Sequence, residues 1–382
     1  MNAILTRRGK RGHKLFMDTT IRSCLLVLTF IAVTTCLYLT RDIITPFALA
    51  IFIWLIIDTF ARWLDGLSSK LPYWLALIIA IFTVLAAITG IVFIIADTAF
   101  NLVDQAPKYT QRLNEIFLWL DGIFKNVAGF FGIASFSILS LVEQFKPDEK
   151  ITQTILGIGG SVSGFGSNFA LIAIYVAFLF AAQSTFPKKM DDLFPDKVGR
   201  AQASKVFIRI RSSVEKYIGV QTIISLMQTI VSYVAMVALG LDNALFWALV
   251  IFILNYIPIV GGLAAIVLPV LFALVQFDTL TPVFILTALL FGAQFIIGNT
   301  IQPKMMGDSM NLSALVVILS LTLWHALWGG VGAFLSAPLT VIIMIILAQF
   351  PTTRWIAVLL SADGEPDMDE MEKKAAKATP SM

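Results

Sequence analysis

The side chains that can do chemistry within the apolar stretches of this chain are almost all uncharged. Asn255, Gln294, Asn299 and Gln302 stand in runs free of charged residues, as do Asn168, Gln183, Gln221 and Gln228. Each carboxamide offers an acceptor oxygen and two N–H donors. With the Tyr256 hydroxyl, this set can hydrogen-bond a neutral polyhydroxylated solute or a weakly anionic one. Polar groups in lipid are costly and usually face the protein interior. Gln221 and Gln228, seven residues apart, read as glue between helices. Asn255 and Asn299 stand where a helix is interrupted.

The equipment of catalysis is missing, so the chain does not read as an enzyme. It has no Gly-x-Ser-x-Gly elbow, no Walker loop and no paired carboxylates in an apolar run. The glycines at 157–166 are not followed by Lys-Ser/Thr, and Gly160-x-x-x-Gly164 reads as close helix packing. Two histidines and two cysteines leave no Cys/His metal cluster, and no cofactor is implied. Cys24 and Cys36 lie about 18 Å apart along one helix axis, cannot bridge, and read as small core residues. Asp58, Asp97, Asp242 and Asp278 all sit at the ends of apolar runs, where solvent reaches them. Proton- or sodium-coupled carriers usually bury such a group, so Asp58 and Asp97 are the candidate coupling residues. His325 reads as a neutral imidazole bonded to a carbonyl.

The elements that must hold these residues follow from composition. Of 382 residues, 58% are apolar and 13% charged, where soluble domains carry about 25% charge. That excludes a soluble enzyme, a nucleic-acid binder and a disordered chain. Charge-free runs cover 23–40, 43–57, 71–96, 151–187, 217–241, 243–277, 279–303 and 309–353. A span needs about 20 apolar residues, and only helices or closed barrels pair their backbone in lipid. The fold class is therefore all-α: a polytopic helical membrane protein of about eight transmembrane helices.

The runs divide the chain as follows. Residues 1–20 form a basic cytoplasmic N-terminus by the positive-inside rule, followed by three spans over 21–96. Apolar residues continue past Ala48-Leu49-Ala50 to Ile57, so this is a span and not a cleaved leader. Arg41-Asp42 marks the outer turn, and Asp58, Arg62, Asp65 and Lys70 fall in the returning loop. Residues 97–160 form an external amphipathic helical segment with apolar residues at helical spacing from Leu113 to Val127. A fourth span covers 161–184, and 185–216 is a cytoplasmic loop with eight bases against four acids. The bundle over 217–353 has interrupted helices, with breaks at Pro258, Gly261, Gly262, Gly298, Pro303, Gly329, Gly330 and Pro338. Whether 243–277 crosses or re-enters is left open by the pattern. Residues 354–382 form a mobile cytoplasmic tail.

The second half resembles a known family. Asn255-Tyr-Ile-Pro258-x-x-Gly261 and Gly298-Asn299-x-x-x-Pro303-x-x-Met306-Gly307 are similar to signatures of the autoinducer-2 exporter (AI-2E) family. So are Leu312–Ser320, Trp328-Gly329-x-x-Gly332 and Leu335-Ser-Ala-Pro338-Leu339, in the same order. The resemblance runs from about 205 to 360. It implies a multi-pass transporter of the bacterial inner membrane and a homo-oligomer, with a pentamer as one candidate. It implies export of a small polar solute, for some members the quorum-sensing signal autoinducer-2, a furanone-like polyol. Other members are attributed sodium or lithium/proton antiport, and a non-transporting scaffold is a further alternative. In this family the Gly-Asn…Pro element often includes an acid just before the glycine or the proline. Here Ile297 and Gln302 stand there, which weakens the cation reading.

Overall fold

Long apolar runs leave the backbone one way to pair its polar groups in lipid, and the computed structural model is helical accordingly. It describes residues 21, 24–25, 27–67, 72–130, 169–194, 196–306 and 311–366. The basic N-terminus 1–20, residues 131–160 of the external segment, the 157–166 glycines and residues 367–382 lie outside the described residues. Among the described residues, five helices are long and apolar enough to cross a membrane: Arg41–Leu67, Tyr73–Leu102, Lys197–Leu239, Leu280–Met306 and Ala314–Ala348. Val27–Leu39 (α1) and Phe169–Gln183 (α4) are shorter apolar helices. The chain is a polytopic helical membrane protein.

Several boundaries differ from those expected. The second helix, α2, spans Arg41–Leu67, not 43–57, and carries Asp58, Arg62 and Asp65, which were expected in a loop; Lys70 lies outside the described residues. The third, α3, is one helix of 58 residues from Tyr73 to Phe130, passing Ala96 and Pro107 without a break. At 1.5 Å per residue it is about 87 Å long, so its far half continues the third span. The 185–216 stretch is helical: α5 covers Phe186–Leu193 and α6 runs from Lys197 to Leu239. The Asp196 carboxylate starts α6 by accepting the Gly199 N–H at 2.6 Å. The head of the expected tail is also ordered. A short helix, Arg354–Leu360, packs Ala357 against Met344 and Ala348, and Asn311 donates to Asp363 at 2.8 Å. Charge runs report which compartment a segment prefers. They do not report where a helix stops. The two cysteines are exposed, not core residues.

The largest departure is Asp58. It lies at the end of an apolar run, yet it is fully buried on the inward face of α2. Run position sets depth along a helix, while the face decides burial. Arg211 of α6 and Arg62, the latter at 3.1 Å, hold one carboxylate oxygen. Tyr73 donates to the other at 2.6 Å and Gln183 at 3.3 Å. Glu215 closes the cluster, accepting from Arg62 at 2.5 Å and from Arg211 at 2.7 Å. Four helices, α2, α3, α4 and α6, meet at these side chains, with two positive charges against two negative.

Removing one partner of a buried pair strands the others. Asp58→Ala is expected to cost about 3 kcal/mol, the low end for such losses because both arginines reach water. Thermal unfolding in detergent reads this. Arg211→Met added to Asp58→Ala should cost less than the sum of the two single changes.

Candidate functional site

The 243–277 run is a hairpin. Its legs are α7, Ala244–Leu254, and α8, Val260–Gln276. Gln276 joins the two ends: it accepts the Asp242 N–H at 2.7 Å and donates to the Gly240 carbonyl at 2.8 Å. The run therefore returns to the side it entered. The eleven residues of α7 reach only about 16 Å, half a hydrocarbon core. The far half of α3 clamps this base. Arg112 donates to the Asp278 carbonyl at 2.8 Å, and the Tyr109 ring meets Phe272 edge-on at 5.4 Å. Burial, with the Asp242 carboxylate second, raises the Tyr109 hydroxyl above the ordinary tyrosine value. It stays protonated and donates to Gln105 at 2.7 Å.

The hairpin tip, 255–259, is irregular. The Val260 N–H bonds the Pro258 carbonyl at 2.6 Å, closing a three-residue turn around Ile259 at φ 62°, ψ −61°. That conformation is strained, and more so for a β-branched residue. Helix α6 takes up the exposed carbonyls: Gln221 donates to Asn255 at 2.6 Å and Tyr217 to Tyr256 at 3.4 Å. The Thr222 and Tyr256 hydroxyls bond each other at 2.7 Å.

Opposite the tip runs α9, Leu280–Ile296, which widens into one π-turn over Ile297–Ile301. The Gln302 N–H reaches back five residues to the Ile297 carbonyl. Pro303 lacks an N–H, and its ring crowds the carbonyl four residues earlier, so a widened turn relieves it. The short α10, Gln302–Met306, follows.

Tip, π-turn and α6 enclose a cavity of about 760 Å³. The structure brings Asn255, Tyr256, Gln294, Asn299 and Gln302 together around it, and every described lining residue is uncharged. Pro258, Gly262, Gly298 and Pro303 border it as well. Its volume is that of a small-molecule site, about 300–1,000 Å³. Three amide atoms at its wall are buried without a partner: Asn255 Nδ2, Gln228 Oε1 and Gln294 Oε1. One donor and two acceptors are thus unspent. Gly262 leaves room for Gln294, whose Nε2 would lie 2.5 Å from an added Cβ. Gly261 sits against the Leu254 carbonyl.

Other predicted residues lie elsewhere. Asp58 belongs to the ionic cluster, and Asp97 is exposed, accepting from Asn101 at 3.1 Å. Gly329 and Gly330 mark a sharp bend within α11, Ala314–Ala348: Gly329 has φ 63°, ψ −142°, open to glycine alone at little cost. Trp324 donates to Thr340 at 3.2 Å across the bend, although sixteen residues of straight helix would separate them by about 24 Å. Pro338 was expected to break this helix and does not. The Ser336 and Thr340 hydroxyls donate to the Ala333 and Ser336 carbonyls beside it. His325, expected to bond a carbonyl, is exposed and has no such partner among the described residues.

Sequence reasoning missed Tyr217 and Thr222, and read Gln221 and Gln228 only as glue. Tyr217, Gln221, Ile224 and Gln228 recur at four, three and four residues, one face of a helix, and all line the cavity. That polar stripe was the available signal.

Residues 27–352 match the family profile of the AI-2E family transporters. The chain belongs to the AI-2E transporter family. The AI-2 transport protein TqsA of Escherichia coli is 29% identical over 320 residues, covering 84% of this chain and 90% of the relative. A Haemophilus influenzae protein, provisionally named a transport protein, is 28% identical over 328 residues, covering 84% and 91%. Escherichia coli YhhT, provisionally named likewise, is 26% identical over 325 residues, covering 84% and 88%.

In this AI-2E transporter the two neighbouring glycines of the hairpin should respond differently. Gly261→Ala drives a Cβ into backbone and should cost about 2–3 kcal/mol. Gly262→Ala meets the end of a flexible side chain and should cost under about 1 kcal/mol, moving the Gln294 amide instead. Ile259→Gly should stabilise the fold by roughly 1 kcal/mol, since relief of strain exceeds the added chain entropy. Thermal unfolding of the three variants checks the ranking.

Proposed function

We propose that this AI-2E transporter moves a small, uncharged polar solute out of the cell, with the size and hydroxyl content of autoinducer-2. The observation that carries the reading is the uncharged cavity whose wall holds unpaired amide atoms beside two broken helices. A polyol supplies donors and acceptors to both kinds of atom. The relative named an AI-2 transport protein supports the solute class. We place the chain in a bacterial inner membrane with both termini cytoplasmic, because bases concentrate before residue 23 and in 185–216. The Arg41 end of α2 then lies outside. Assembly as a homo-oligomer, with a pentamer as one candidate, rests on the family resemblance.

The cation/proton reading has less support. The Asp58 carboxylate is already held by two arginines, and Asp97 lies outside the cavity. A scaffold has no use for an amide-lined cavity.

The test is flux of labelled autoinducer-2, beside a panel of sugars, polyols, Na⁺ and Li⁺, in proteoliposomes of the full chain. Asn255→Ala, Gln294→Leu and Asn299→Ala should each slow efflux roughly fivefold below saturation, the equivalent of one lost hydrogen bond of about 1 kcal/mol. Wild-type rates in all three folded variants would remove the site. Cation-driven pH changes without polyol flux would remove the solute class.

A further inference from the structure

A second cavity, of about 630 Å³, lies at the Arg41 end of α2 beside the α11 bend. Arg41, Asp42, Thr45, His325 and Gly329 contribute to its wall. It is more polar in charge than the first cavity, and Thr45 Oγ1 is buried there without a partner. No step described above uses it.

Two helices connect the cavities. On the returning leg of α11, Val331 lines the second cavity and Ala337 the first, with Phe334 halfway between. These positions are three apart, share one face, and span about 9 Å. On α2, Thr45 and Leu49 line the second cavity, and Phe52 is the next residue inward on that stripe. Phe52 meets Phe334 edge-on at 5.6 Å between centroids, and Phe334 meets Tyr256 at 4.9 Å. Tyr256 is itself a wall of the first cavity. Three rings in contact therefore fill the space between the cavities. Leu55, Val214, Ile218 and Leu335 pack around Phe52, so the partition is apolar. A hydrophobic constriction of this kind stops water and polar solutes.

We propose that the second cavity is the outer station of the same transport path, and that Phe52, Phe334 and Tyr256 form the closed gate between it and the amide-lined inner cavity. The proposal rests on the transport reading above and adds the route and the barrier. Solute leaving the inner cavity passes the three rings and meets Thr45, Arg41 and His325 before release. The Gly329 bend gives the leg carrying Phe334 a pivot.

Sided labelling tests this. Cys24→Ser and Cys36→Ser provide a background without cysteine, into which His325→Cys or Gln302→Cys is placed singly; His325 is exposed and lines the second cavity. Right-side-out and inverted membrane vesicles are treated with a charged, membrane-impermeant thiol reagent. His325→Cys should label only from outside and Gln302→Cys only from inside. Adding Phe334→Ala should abolish that sidedness and let solute leak. Labelling of both positions from one face, or protection of His325→Cys from the polar reagent on both faces, would overturn the proposal. Neither single cysteine alters a gate residue, so these arms decide it even if Phe334→Ala fails to fold. Sided labelling with no solute flux would remove the solute reading and leave the barrier standing. Flux with one-faced labelling would remove the barrier alone.

Discussion

In hydrocarbon every backbone N–H and carbonyl needs a partner, and among the described residues this chain interrupts its helices at three places that lie between apolar stretches. The hairpin tip at 255–259, the π-turn at 297–301 and the bend at Gly329 each release groups that a straight helix would pair. The protein answers locally. Asn255 and Tyr256 carbonyls take side-chain donors from α6, and Ile257 and Val260 N–H groups bond within the tip. At the π-turn the ladder shifts by one residue instead of opening. Two of the three interruptions face one cavity and the third faces another. Broken backbone is tolerable there because protein and a polar space cover it, and the same breaks present amides to whatever enters.

Such openings loosen a bundle, so it must be held elsewhere. The Asp58–Arg62–Arg211–Glu215 cluster ties α2 to α6, and Tyr73 and Gln183 add α3 and α4 through their bonds to Asp58. At the opposite end Gln276 closes the hairpin base and Arg112 ties it to α3. Both fastenings are polar and lie away from the cavities. The hairpin between them packs along its legs in an apolar core with Met236 of α6 and Val283, Leu286 and Leu290 of α9, and it meets α6 through hydrogen bonds at its tip. The cavity wall is left with unspent bonding capacity among the described residues.

Most of the architecture was legible in the sequence because oil imposes it. Charge-free runs of the right length located the helices, and proline and glycine pairs located the hairpin tip, the π-turn and the bend. The clustering of Asn255, Gln294, Asn299 and Gln302 was legible for the same reason, since amides are rarely affordable in lipid unless they face one another. Three things were not. Asp58 sits at a run end, and sequence position does not tell which way a helix face turns. The 58-residue α3 hides behind a change in composition at residue 97 that leaves helical spacing intact. Pro338 carries the local mark of a break, but it removes a single bond from the ladder, and the helix around it runs on through a stretch buried by packing that the local sequence does not report.

The absence of charge along the inner cavity's described wall has an energetic consequence. A charged group in so apolar a setting would either demand a counter-ion or hold an opposite charge tightly, because Coulomb energies grow as the dielectric falls. Tight holding defeats transport, which needs a site that compensates lost hydration and then lets go. Neutral hydrogen bonds of about 1 kcal/mol each do this well: a few of them offset desolvation without creating a deep well. Phe291, Phe295 and Ile224 add aromatic and aliphatic surface to the wall that carries the amides. Among the described residues, charge lies off the wall of this cavity, as in the cluster around Asp58, the Arg112 clamp, and Arg41 and Asp42 beside the second cavity. The distribution of charge, more than any single residue, suits this cavity to weak, reversible binding of a polar solute.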